Sequence, residues 1–166
     1  MRINTLQAMI LLSSISCNTF ADDVMNRHHA HHLQEIAKRG SQVMPFALEK
    51  TLHQFTPTAN GGVQRVIARD SQDSEQIALI QQHLLDMTKK FSQRDFSGPG
   101  YIHGANMPGL QTLAAASANQ LQIDYTSEKN GASIQYSSQD AEIVTAIHQW
   151  FAAQLHDHGA DAEPGR

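Results

Sequence analysis

Apolar residues recur along this chain with two distinct periods, and the alternation between them predicts the fold. Ile77, Ile80, Leu84, Met87 and Phe91 follow one another at three or four residues, the spacing of a single buried helical stripe. Asp73, just ahead of them, is a good N-cap. Upstream, strand-like segments run from Ala47 to Phe55 and from Val63 to Arg69, joined across Asn60-Gly61-Gly62, a strong hairpin signal. The second half repeats the order. Leu121, Ile123 and Tyr125 alternate with polar residues, Asn130-Gly131 makes a turn, and Ala132, Ile134 and Tyr136 alternate back. Asp140 then caps a helix with Val144, Ile147, Phe151 and Leu155 on one face. Ser71-Gln72-Asp73 and Ser138-Gln139-Asp140 stand at matching points of the two halves. The chain is therefore expected to be α+β, with two ββα pseudo-repeats over residues 47–93 and 121–158. Their hairpins would join edge to edge as a four-stranded antiparallel sheet with the helices packed on one face. The open edges or uncovered face of such a sheet would favour a homodimer.

The remaining segments complete the domain plan. Residues 1–21 carry Arg2, the apolar run Ala8-Met9-Ile10-Leu11-Leu12 and a small residue at Ala21, the outline of a secretory signal peptide. Cleavage near Ala21 would send the protein to the periplasm or the medium. Ser14-Ile15-Ser16-Cys17 lacks the aliphatic residue of a lipoprotein signal. Residues 22–40 read as a His-rich leader, helical from Val24 to Lys38 and stopped by Gly40. Residues 41–160 form the α+β domain. Between its halves, residues 97–113 contain Gly98-Pro99-Gly100, Gly104 and Pro108-Gly109, which predicts a long loop, a common place for function. Residues 161–166 are expected to be a flexible tail.

Composition narrows the chemistry. Ten of 166 residues are histidine, and Cys17 is the only cysteine. Loss of the signal peptide removes that thiol, so disulfides, thiolate metal sites and cysteine nucleophiles drop out together. It also removes Arg2, leaving 11 basic residues against 16 acidic ones, a balance that argues against nucleic acid. No second apolar stretch approaches the roughly 20 residues of a membrane span. Imidazole titrates near neutral pH and binds borderline metals as a neutral ligand. His53 shares a strand face with Thr51 and Phe55; His83 sits on the apolar stripe beside Leu84; His148 adjoins Ile147. His156 and His158 flank Asp157 near a helix C-terminus, where a charge-stabilising cap would also explain them. His28, His29, His31 and His32 include helical pairs at chelating spacing. His103 and Met107, four residues apart in the Gly-rich segment, offer imidazole and thioether together. That pair suits Cu(I), although Met107 would equally fill a core gap.

Several blocks carry a resemblance: Met44-Pro45-Phe46, then Thr51-x-His53-x-Phe55 and Gly61-Gly62-Val63-Gln64, then Ile102-His103-Gly104-x-x-Met107-Pro108-Gly109-Leu110, then His148-x-Trp150-Phe151-x-Ala153-Gln154-Leu155-x-Asp157-His158-Gly159. Over about residues 35–162 the chain resembles a short, uncharacterised bacterial family often labelled aspartate carbamoyltransferase. True carbamoyltransferases are longer two-domain enzymes that grip carbamoyl phosphate through a Ser-x-Arg-Thr turn at a helix start. This chain contains no Ser-x-Arg-Thr, so that activity is not expected. The resemblance implies a site drawn from His53, His83, His103, Met107, His148 and His158, and leaves out His28, His29, His31 and His156. The sequence thus predicts an exported transition-metal binder, copper ahead of zinc, for metal buffering, delivery or resistance. Haem binding through His103 or His148 is the alternative, as is a small enzyme with its site around the His103 loop. No nucleophile or catalytic motif identifies itself.

Overall fold

The computed structural model describes residues 18–165, so most of the expected signal peptide lies outside the described residues. The chain divides into two units after His31. In the first, residues 23–31 are helical and exposed. They belong to helix α1 (Asn18–Val43). The expected stop at Gly40 does not occur: the Gly40 carbonyl accepts a helical bond from Met44 N–H at 2.8 Å, and the helix gives way only before Pro45, which disfavours helical geometry in the residue ahead of it.

The second unit holds a sheet of five strands in the order β3-β4-β2-β1-β5: β1 (Thr51–Thr58), β2 (Gly61–Ala68), β3 (Gln122–Glu128), β4 (Gly131–Ser137) and β5 (Ala162–Pro164). The α+β class and the two ββα units stand, and the hairpins do join edge to edge through β2 and β4. The sheet is nevertheless mixed. β5, expected as a flexible tail, lies parallel to β1 with His53 opposite Ala162 and Phe55 opposite Pro164. The first hairpin also turns earlier than the glycines suggest, since Thr58 pairs with Gly61 across Ala59-Asn60. Gly61 is pinned there because a Cβ on it would stand 2.0 Å from the Tyr136 carbonyl oxygen.

Alternation along the strands sorts the two faces. Thr51, His53 and Phe55 of β1, Gln64, Val66 and Ala68 of β2, and Ala132, Ile134 and Tyr136 of β4 are buried. Opposite them, Gln54, Thr56, Arg65, Ser133 and Gln135 remain at least partly exposed, the pattern of an antiparallel-type sheet with one wet face. Arg65 pairs there with Glu128. Helices α2 (Ser74–Ser92) and α5 (Ala141–His158) cover the buried face, each capped as predicted. Asp73 accepts from Gln76 N–H at 3.2 Å and Asp140 from Glu142 N–H at 2.9 Å. Phe91 of α2 and Trp150 and Phe151 of α5 converge on Tyr136, which puts both helices on one side of the sheet. The Tyr136 hydroxyl is satisfied by Gln64 Oε1 at 2.8 Å.

The Gly-rich segment is not a long loop. It contains α3 (Ser97–His103) and α4 (Leu110–Ala115). Pro99 falls in the first turn of α3, where its missing N–H costs no helical bond. Gly109 opens α4 at φ 77°, and a Cβ on it would lie 2.1 Å from the Ala146 carbonyl oxygen. That close approach seats α4 on α5. No helix among the described residues is long and apolar enough to cross a membrane.

Candidate functional site

Four elements deliver imidazoles to one place. β1 supplies His53, the apolar stripe of α2 supplies His83, the last residue of α3 is His103, and the last residue of α5 is His158. All four line a cavity of about 80 Å³ together with Phe46, Val66, Leu84, Met87, Phe91 and Trp150. The His53 and His158 rings lie 4.8 Å apart and nearly parallel, and His103 stands 5.1 Å from His158. Phe46 meets His53 at 6.0 Å and His83 at 5.5 Å, edge to face in the second case.

Burial holds these imidazoles neutral. Desolvation lowers His53 and His83 from the ordinary 6.5 to about 4 each, because the charged form loses its hydration in an apolar wall. His158 is pushed well below its ordinary value by desolvation and then by the neighbouring His53 and His103. His103 is also lowered by burial, with its bond to Asp157 acting in the opposite direction.

The two nitrogens of His53 differ. A backbone hydrogen bond joins its ring to Asp161, which the parallel strand β5 brings alongside β1. Nδ1 is buried without a hydrogen-bond partner, so Nε2–H makes that bond and Nδ1 keeps an unused lone pair. The other buried side-chain polar atom without a partner, among the described residues, is Trp150 Nε1, an indole N–H that can only donate. Both residues belong to the cavity wall.

Asp157 is the group that sequence reasoning undervalued. His103 Nδ1 lies 3.0 Å from its Oδ2, while His32 Nε2 and His156 Nδ1 lie 3.3 Å and 3.1 Å from Oδ1. Desolvation would raise this carboxyl, but the hydrogen bonds from His156 and His103 outweigh it and keep it below the usual aspartate value. The bond to Asp157 fixes His103 as the Nδ1–H tautomer and leaves Nε2 as its lone-pair nitrogen. A His-Asp-His run at a helix end, at residues 156–158, was the available signal.

Two expected members stand elsewhere. His148 directs Nε2 at the carbonyl oxygens of Thr58 and Gly61, 3.0 Å and 2.9 Å away. One N–H shared by two acceptors ties α5 to the first hairpin turn and occupies that nitrogen. Met107, at 6% exposure, does not line this cavity; it borders a separate surface pocket together with His103, His32, His156 and Asp157. Among the described residues no three His, Cys, Asp or Glu side chains converge so as to hold a metal ion. His28, His29 and His31 belong to the exposed first unit.

No protein-family model, no curated protein and no solved structure matches the chain.

Proposed function

We propose that this is an exported binding protein that takes a small ligand into the histidine cavity. The observation carrying the reading is His53 Nδ1: a neutral lone-pair nitrogen, fully desolvated, with no intramolecular donor. A buried acceptor left unmet costs roughly 1–3 kcal/mol, and native structures seldom retain one without a reason. A ligand that donates to it removes that cost. Asp157 orients His103 beside it, so the cavity presents imidazole nitrogens with defined tautomers rather than a generic apolar void. A volume of about 80 Å³ favours a ligand of a few heavy atoms and is far below the size of a haem pocket. Native mass spectrometry of untagged protein from the exporting cell tests the reading. A retained small-molecule mass, absent from His53→Phe, is the expected result; a bare chain that also binds no small probe would refute it.

A transition-metal reading is favoured by a separate observation. Imidazoles about 5 Å apart match the separation of two rings whose nitrogens sit roughly 2 Å from one ion, and a carboxylate–histidine couple is a usual outer support for such a ligand. In this cavity the donors would be imidazoles alone, which suit zinc as well as copper. Elemental analysis of protein purified without nickel resin decides between the readings. About one copper or zinc per chain, lost in His53→Ala and His158→Ala, would replace the organic ligand.

A further inference from the structure

The two edges of the sheet are built differently. One is β5, which has three residues and closes on Pro164, the short, proline-blunted form that resists further pairing. The other is β3, seven residues without proline, in continuous register with β4 from Gln122 to Glu128. Among the described residues, no backbone hydrogen bond reaches residues 122–128 except from β4, so their outward row of N–H and C=O groups is open to a further strand. Gln122, Asp124 and Thr126 are exposed on the wet face, and Ile123 and Tyr125 are only half-buried on the helix side. Charge selects what can pair there. A second copy added antiparallel across a two-fold axis keeps the wet faces together, so each residue meets one of its own face. Centring the axis on Asp124 opposes the two Asp124 carboxylates, and centring it on Thr126 opposes Asp124 to Glu128; like charges directly opposite are destabilising. Centring it on Tyr125 uses all seven residues of the strand, opposes Asp124 to Thr126 and Gln122 to Glu128, and sets no charge against another. We infer that the chain forms a two-fold homodimer through β3 in this register, which joins the two sheets into one and leaves β5 as its outer edge.

Sedimentation velocity on the full chain, over a concentration series into the hundreds of micromolar, tests this against two substitutions at one exposed position. In the dimer each Thr126 faces Asp124 of the second copy, so the pair occurs twice. Thr126→Lys should tighten association and Thr126→Asp should weaken it, each by about two- to thirtyfold, the range for two cross-strand charge pairs. Added salt should narrow the gap between the variants. A purely structural threonine would not give opposite signs, since both changes replace a β-branched residue in a strand. Amide exchange over residues 122–128 should slow as the concentration rises. If Thr126→Asp fails to fold, Gln122→Lys repeats the test at the neighbouring pair: facing Glu128 of the second copy, it should tighten association. A chain that stays monomeric at every concentration overturns the inference and leaves β3 open to an extended segment of another protein. A dimer indifferent to charge at position 126 also overturns it, because its contact then lies elsewhere.

Discussion

Acidification should destabilise this protein in a window set by its buried histidines. His53 and His83 titrate at about 4 in the folded state and near 6.5 when unfolded. The unfolded chain therefore binds more protons between those values, and unfolding free energy must fall as pH drops from about 6.5 toward 4. Each pKa unit is worth about 1.4 kcal/mol. A shift from 6.5 to about 4 makes His53 alone responsible for roughly 3 kcal/mol, with a smaller share from the less deeply buried His83. His158 acts in the same direction. Such a loss is a large part of the 5–15 kcal/mol that holds a typical domain together. Four carboxylates contribute in a lower range: Asp73, Asp86, Asp95 and Asp157 are all held below 3.8, so their stabilisation is lost only at lower pH, whereas Asp161, raised by burial, opposes the histidines as pH falls. Urea midpoints followed by Trp150 fluorescence, at half-unit steps from pH 7.5 to 4.5, give the slope. Roughly two to three protons per chain should be taken up on unfolding near pH 5, and His53→Phe should remove about one of them. A midpoint that stays constant across this range, or an unchanged slope in His53→Phe, would refute the assignment of buried neutral imidazoles.

Three further outcomes follow from particular bonds. His148→Ala removes the N–H shared by the Thr58 and Gly61 carbonyls and should cost roughly 1–3 kcal/mol, visible as a melting temperature lower by several degrees. Arg94→Ala should cost roughly 2–4 kcal/mol in urea denaturation, since the guanidinium bonds the carbonyls of Ala116, Ser117 and Leu121 at 2.8–2.9 Å and leaves them unmet when removed. Asp157→Asn takes away the charge that raises His103 and leaves at most a weaker, neutral acceptor in place of the carboxylate; the His103 pKa should move further down, measurable by NMR titration of the ring, and an upward move would contradict the geometry.

Much of the fold was legible because local signals agreed. The stripe from Ile77 to Phe91 and the caps at Asp73 and Asp140 each specify a helix without help from elsewhere, and both hairpins announce themselves through Asn-Gly. The errors arose where a residue's statistical meaning differed from its use. Gly98-Pro99-Gly100 reads as a loop, yet proline in a first turn is compatible with a helix, and Phe96, Ile102 and Leu110 anchor the segment in the core. Gly40 is buried within α1 rather than ending it. β5 has three residues and ends in proline, so nothing in its own sequence distinguishes it from a tail; only the exposed edge of β1 recruits it. The site was half legible. His53, His83, His103 and His158 were candidates, but so was His148, and along the chain His83 and His148 look alike: both stand on an apolar helical face. What separates them is the partner each meets across the sheet, a property of tertiary packing.

The strongest argument for function is the residue that the fold does not need. His148 earns its place by tying a hairpin to a helix, and His103 is held by Asp157. His53 has one nitrogen engaged by Asp161 and the other with nothing to accept from, at a position 3% exposed in the inner face of β1. Its neighbours Phe46 and His158 are rings at packing distance, so phenylalanine would fill the same space without an unmet acceptor. It would forgo the bond to Asp161, worth about 1 kcal/mol, against roughly 1–3 kcal/mol recovered at Nδ1. His53→Phe should therefore be as stable as the parent at neutral pH, or more so, and more stable still at pH 5, while losing ligand. A sequence that keeps the less stable option at a buried site is the signature of a constraint other than folding. If His53→Phe instead unfolds at neutral pH, the imidazole is structural, and the case for a ligand at Nδ1 fails with it.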